Sequence, residues 1–350
     1  MVSEGGSLGV SLGLLLMTPP FVDADQCQSL LELVRDLDAS KFDALFFVDH
    51  MFLEGDRYLA FERDVDRPYQ LECYSILAAC AAVTSRIRLG TLVTPLPLRH
   101  PAFVAKMAAT IDVLSRGRLV LGVGTGWPAR EYEAYGLPFE TSHRRRTEMV
   151  VEAMEMIRSL FGSPDPVDYA GEHYHLQRAP FFPKPVQGAH LPIWVGGSGT
   201  TSRDLVAKLG DGWTPAAPHY NAVSPDVYRQ GWADIRERAT AYGRNPEEIT
   251  PAVLINTTIS RTRGAAWGAA SAQQLRVDWK DISLESMQES GVLAVGTAED
   301  CLRQIERYAA AGARYVTVCP VPMTMDNARR TVEHYAEGVL PRLGDVAVGN

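Results

Sequence analysis

The sequence predicts an α/β protein, a (β/α)8 TIM barrel with insertions after its fourth and seventh strands. Eight short apolar runs recur at 8–16, 43–48, 87–93, 118–123, 192–196, 211–215, 252–259 and 314–319. Most are followed by a segment of helical periodicity, and such alternation implies a parallel sheet covered by helices. The 350 residues suit one large barrel, and eight repeats favour closure over an open sheet. A single domain over 1–350 is the expected organisation.

The elements follow in order. The first run, Leu8–Met17, is apolar but short, has no Lys or Arg before it and ends at Pro19-Pro20. It is too short to span a bilayer and lacks the basic start of a signal peptide, so it is assigned to the barrel. In 101–115, Phe103, Met107, Ile111 and Leu114 recur at helical spacing, and Ser115-Arg116-Gly117 ends the run. In 142–161, Met149, Ala153, Ile157 and Leu160 repeat the pattern, with Gly162 placed as a C-terminal cap. Two stretches break the rhythm. The Pro-rich 163–191 contains Tyr169-Ala170-Gly171-Glu172, which reads as a hairpin turn. The second, 260–296, carries Gly264, Trp267, Gly268 and Trp279 with weak periodicity. Insertions after barrel strands commonly form lids or substrate walls.

Composition narrows the function. With 34 basic and 42 acidic residues the formal charge is −8, and no basic run stands out, which disfavours nucleic acid and anionic membrane as partners. The five cysteines are odd in number and form no C-x-x-C pair, which disfavours disulfides and a cysteine metal site and suits a reducing cytoplasm. Eight histidines are present, but the H-x-H pair His173/His175 lies in the inserted hairpin, so no metal is expected. No G-x-S-x-G nucleophile motif occurs.

Residues just past the strand C-termini converge on one mouth of a parallel barrel. After the second strand stand Asp49-His50, a carboxylate beside an imidazole. The pair suits proton transfer near neutral pH, or equally a hydrogen-bonded structural histidine. The third strand ends Leu92-Val93-Thr94-Pro95, which suggests a bulge. The fourth ends Gly122-Val123-Gly124-Thr125-Gly126-Trp127. Trp127 breaks the dinucleotide fingerprint, and the alternating glycines admit either a flat ligand or tight strand–helix packing. The fifth ends Gly196-Gly197-Ser198-Gly199-Thr200-Thr201. Glycines, hydroxyls and then a helix make an anion site, or a simple capped helix start.

Together the segments FDALFFVDH, RIRLGTLVTPLPLRHPAFVAKMAATIDVLSRGRLVLGVGTGW, REYEAYGLPF, FFPKPVQ, LPIWVGGSG, AKLGDGW and VGTAEDCLRQIERYAAAGARYVTV resemble the bacterial luciferase-like monooxygenase superfamily, in its deazaflavin (coenzyme F420)-dependent oxidoreductase branch. The resemblance implies a cofactor ring in the barrel mouth against the bulge at Leu92, Val93 and Thr94, with a non-prolyl cis bond at Leu92–Val93. It implies that Gly124, Thr125 and Gly126 border the cofactor and that Gly196, Gly197 and Ser198 hold its phosphate. His50 matches the active-site histidine of relatives that oxidise sugar phosphates. Those relatives carry a Glu where this chain has Trp127, which offers a flat apolar wall for an apolar or aromatic substrate instead.

The expected activity is hydride transfer between coenzyme F420 and a small organic substrate. Asp49 orients His50, His50 moves the proton, and reduction of a C=C or C=N bond is favoured. One alternative keeps the fold and uses FMN and oxygen, as a flavin-dependent monooxygenase. Another is a catalytically silent barrel that binds cofactor or a partner. The longer acidic tail of the deazaflavin would favour basic residues beyond the ring site, for which His219, Arg203 and Lys208 are candidates. Barrels of this kind often dimerise, so a homodimer is expected.

Overall fold

A computed structural model describes residues 8–17, 24–52, 71–127, 129–215, 223–274, 283–322 and 324–344. Its strands are β1 (Ser11–Leu16), β2 (Ala44–Phe47), β3 (Arg88–Pro95), β4 (Leu119–Gly124), β5 (Val167–Ala170), β6 (His175–Ala179), β7 (Ile193–Gly196), β8 (Gly212–Thr214), β9 (Thr250–Ile259), β10 (Leu293–Gly296) and β11 (Tyr315–Pro320). All eight apolar runs of the sequence became strands. They close a parallel ring in the order β1-β2-β3-β4-β7-β8-β9-β11, with β11 returning to β1. Helices between the strands cover the ring from outside. Among the described residues no helix is long and apolar enough to cross a membrane.

The ring is filled, not hollow. Phe46 of β2, Trp194 of β7 and Tyr315 of β11 meet with ring centroids 5.0–6.3 Å apart. Glycines on other strands make room for them. A Cβ on Gly13 would lie 3.0 Å from the Tyr315 ring, and one on Gly90 would lie 2.9 Å from Phe46. Side chains that close a barrel below its mouth leave the C-terminal rim as the open end.

The insertions carry structure that periodicity did not announce. Within 163–191, β5 and β6 form an antiparallel hairpin whose pairing Ala170↔His175 moves the turn to 171–174. Glu152, from the helix His143–Gly162, accepts the backbone N–H groups of Glu172, His173 and Tyr174 at 2.8–3.2 Å and pins that turn. Within 260–296 lie two helices, Arg263–Gln274 and Leu284–Ser290, and β10, which pairs with the outer half of β9. Trp279 lies outside the described residues.

Two helical expectations need correction. In the helix Pro101–Ser115 the buried face is Val104, Ala105, Ala108, Ala109 and Ile111, while Phe103 is 69 % and Leu114 50 % exposed. Small residues let this helix approach its neighbours closely, so the larger residues lie elsewhere. Gly162 is the final helical residue rather than a left-handed cap; the cap is Ser163, in an extended conformation.

Candidate active site

The third and fourth strands lose register where the sequence placed a bulge. Thr91 pairs with Leu121 and Thr94 with Val123, so β3 carries one residue more than β4 over that step. The Leu92–Val93 peptide bond is cis. Val93 sits at the centre of this rim. A Cβ on Gly124 would stand 2.8 Å from Val93 Cγ2, and one on Gly196 would stand 2.9 Å from Val93 Cγ1. The glycine-rich ends of β4 and β7 therefore close on the same side chain, and neither tolerates a methyl group without displacing it. Three segments separate in sequence thus meet at one side chain. Gly126 adds the corner: its φ is +67°, and a Cβ there would meet the Tyr132 hydroxyl at 2.8 Å. Leu92 and Thr94 are buried in the bulge. The Thr94 hydroxyl, 2.8 Å from Tyr74 Oη, is committed to the network below the rim.

The acid–base pair differs from expectation. Glu131, on the short helix Ala129–Ala134, is the carboxylate on His50, with Oε2 3.2 Å from His50 Nδ1. Its other oxygen accepts the Met51 N–H. Asp49 points the other way. Its two oxygens take the Arg99 guanidinium in a bidentate contact at 2.6 and 2.9 Å. Burial pushes the Asp49 carboxyl up, and the Arg99 charge and the Thr94 hydroxyl pull against that shift. Desolvation opposes the Arg99 charge too, but the carboxylate outweighs it and raises the guanidinium pKa. Arg99 also reaches Glu72 at 3.4 Å, and Glu72 caps the helix Cys73–Val83 through the Tyr74 and Ser75 N–H groups. Asp49 thus ties the rim to the scaffold, and the imidazole belongs to Glu131.

The end of β7 has the form of an anion cradle. Gly197 adopts φ +106°, a region open to glycine, and a Cβ there would strike Ser202 Oγ at 2.5 Å. Trp213 Nε1 donates to the Gly197 carbonyl at 2.8 Å, and Arg203 Nη1 donates to the Ser198 carbonyl at 3.0 Å. With those carbonyls held, the loop leads straight into the helix Thr200–Leu209, whose N-cap Gly199 has no side-chain cap. Uncapped N–H groups at a helix start favour an anion. The basic candidates for an acidic tail are already engaged: Arg203 with Asp234 at 2.7 Å and Lys208 with Asp204 at 3.0 Å. His219 lies outside the described residues.

A family model described as luciferase-like monooxygenase matches residues 11–315. The chain belongs to that family. This luciferase-like protein is accordingly an oxidoreductase. It is 42 % identical over 163 residues to an uncharacterized protein of Mycobacterium tuberculosis, a match covering 46 % of this chain and about half (52 %) of that protein. It is 28 % identical over 289 residues to the phthiodiolone/phenolphthiodiolone dimycocerosates ketoreductase of Mycobacterium tuberculosis, covering 71 % of this chain and 73 % of the other. Among solved structures, monooxygenase RslO1 from Streptomyces bottropensis superposes with a TM-score of 0.78 at 21 % identity, covering 96 % of this chain and all of that one. An F420-dependent secondary alcohol dehydrogenase in complex with an F420-acetone adduct superposes with a TM-score of 0.77 at 20 % identity, covering 96 % and 99 %. At that identity the superpositions speak for the fold.

Of the residues singled out in the sequence, this luciferase-like protein brings Val93, Gly124 and Gly196 into one wall, with Gly126 at its corner. Thr125 lies between Gly124 and Gly126, and Gly197 and Ser198 follow on the adjacent loop. Trp127 is half exposed at the end of the fourth-strand loop. Sequence reasoning missed Glu131. Its only signal was a carboxylate four residues beyond Trp127, in the first turn of a short helix. A buried carboxylate thus reaches His50 from the turn that follows the glycine-rich loop.

Proposed function

We propose that this luciferase-like protein is an F420-dependent oxidoreductase that interconverts a carbonyl and an alcohol on a small organic substrate. The closing of Gly124 and Gly196 on Val93 carries the proposal, because it keeps side chains out of the place a tricyclic ring would take, on the rim that also carries the partly buried His50 and its buried partner Glu131. The chain's own residues fit such a cofactor. The glycines keep the wall free of side chains, and the Gly197–Thr200 loop with its uncapped helix start suits the ribityl phosphate.

When bound, a deazaflavin supplies a hydride to a carbonyl carbon or accepts one from an alcohol carbon. The remaining work falls to the protein. Glu131 on Nδ1 holds the His50 ring, and the imidazole gives a proton to the nascent alkoxide or takes one from the alcohol. The buried rim excludes water from the reacting atoms and holds them in register. Carbonyl reduction is preferred to the C=C or C=N chemistry favoured from sequence, since a relative 28 % identical over 71 % of this chain is named a ketoreductase.

Titrating the purified protein with coenzyme F420 and with FMN tests the proposal. Tight F420 binding followed by cofactor oxidation on adding ketones is the expected result. Tight binding of FMN alone, with oxygen consumption in its reduced form, would replace it with a monooxygenase.

A further inference from the structure

Away from the bulge, the mouth is formed by β8, β9, β11 and β1. None of these four strands contains a charged residue. Their alternation separates two faces. Val253, Ile255, Val316 and Val318 are 0 % exposed against the helices, whereas Leu15, Leu254, Asn256 and Cys319 keep 3–5 %. That residual exposure belongs to the inward face, because Tyr315, in phase with Thr317 and Cys319, packs on Phe46 and Trp194 inside the ring. Thr257 faces outward, its hydroxyl 2.7 Å from Tyr335 Oη, so its neighbour Asn256 faces in.

This inward face is uncharged; its Thr258 and Tyr315 hydroxyls are bonded, to the Val321 carbonyl and to Asp43 Oδ2, and three further polar groups stand out. The Thr214 and Thr317 hydroxyls are buried with no hydrogen-bond partner among the described residues. Thr214 lies in register with Gly196, at the edge of the bulge wall, and Thr317 with Leu254. The third is the side-chain amide of Asn256, a residue 3 % exposed, which makes no hydrogen bond among the described residues. Buried amides and hydroxyls are normally satisfied, and an amide offers both donors and an acceptor. Such groups inside an uncharged wall suit a neutral ligand, since a phosphate or carboxylate would be desolvated there without a compensating charge.

We infer that this arc is the substrate wall and that Asn256 determines specificity. The substrate class is an uncharged, mostly apolar ketone or secondary alcohol that carries a further hydroxyl or carbonyl oxygen away from the reacting carbon. This inference rests on the hydride-transfer proposal above and adds the choice of substrate to it.

The test uses the full chain saturated with oxidised F420, or with FMN should that be the tricycle that binds. A ketone can then bind but not react, and the cofactor's absorbance or fluorescence reports occupancy. The probes are 2-pentanone, 4-hydroxy-2-butanone and dihydroxyacetone phosphate. The hydroxyketone is expected to bind about three- to tenfold more tightly than 2-pentanone, the worth of one hydrogen bond. Asn256→Leu is expected to erase that preference and Asn256→Ser to keep part of it, with cofactor affinity unchanged in both. Preferred binding of the phosphate, failure of all three probes to bind, or a preference that survives Asn256→Leu would overturn the assignment and leave the hydride-transfer proposal standing. Failure of both tricycles to bind the wild-type protein would overturn both.

Discussion

The arc of the mouth from β2 to β7 buries Asp49 and Glu131 and brings two glycines onto Val93, whereas strands β8, β9, β11 and β1 of the other arc contain no charged residue. On the first arc each buried charge has a named partner: Asp49 has Arg99, and Glu131 has His50 and a backbone N–H. On the second, the nearby ionic cluster lies outside the ring. Arg263 and Arg303 meet Asp300 in the first turn of the helix Ala298–Ala310, with both guanidinium groups substantially exposed. On the proposed function, the difference separates two tasks within one barrel. Proton handling requires ionisable groups, and these are held where hydrogen bonds offset their desolvation. An apolar substrate requires a wall without them.

Replacing His50 tests this division most severely. His50→Ala is expected to lower turnover about 10²- to 10⁴-fold, the usual contribution of a positioned acid–base group, with little change in cofactor affinity. Steady-state kinetics with an independent cofactor titration would check it, and unchanged turnover would move proton handling off the first arc. Arg99→Met is expected to cost about 3–5 kcal/mol in denaturant unfolding, because it leaves the Asp49 carboxyl buried without its counter-charge. A loss below about 1 kcal/mol would show that Asp49 is readily accommodated as the neutral acid.

Gly124→Ala sharpens the account of the bulge. The added methyl would displace Val93, and cofactor affinity is expected to fall on the order of tenfold while the fold is retained, as read by equilibrium titration and circular dichroism. Asp300→Asn has the smallest expected effect. The hydrogen bond from Arg263 is the leading cause that holds the Asp300 carboxyl well below its ordinary value of 3.8; burial opposes it, and the Thr297 N–H and hydroxyl assist. A depressed carboxylate contributes stability above its unfolded value and loses it as pH falls toward the folded one. The variant is therefore expected to be less stable by about 1 kcal/mol at pH 7, a gap that has begun to close by about pH 3 and narrows further as pH falls toward the depressed folded value. Denaturant midpoints at both pH values would reveal a gap that fails to narrow.

The site was partly legible before folding. The glycines after the fourth and fifth predicted strands and the bulge after the third could be picked out, since glycine and proline change what the backbone can do wherever they occur. The histidine's partner could not. Asp49 stands beside His50 in sequence, yet adjacent side chains on extended backbone point apart, so one meets Arg99 and the other Glu131. Asn256 was hidden for a related reason. It sits in an ordinary apolar strand, and only ring closure shows which face of that strand looks inward.

By itself, then, the sequence determined the eight strand–helix repeats and the strand ends at which glycines and a bulge fall. Both follow from local periodicity and from residues whose conformational range is intrinsic. Tertiary structure alone decided which carboxylate holds the imidazole, that Gly124 and Gly196 close on one valine, and which polar groups face the interior. Those are distances between segments tens to hundreds of residues apart, and they exist only once the ring closes.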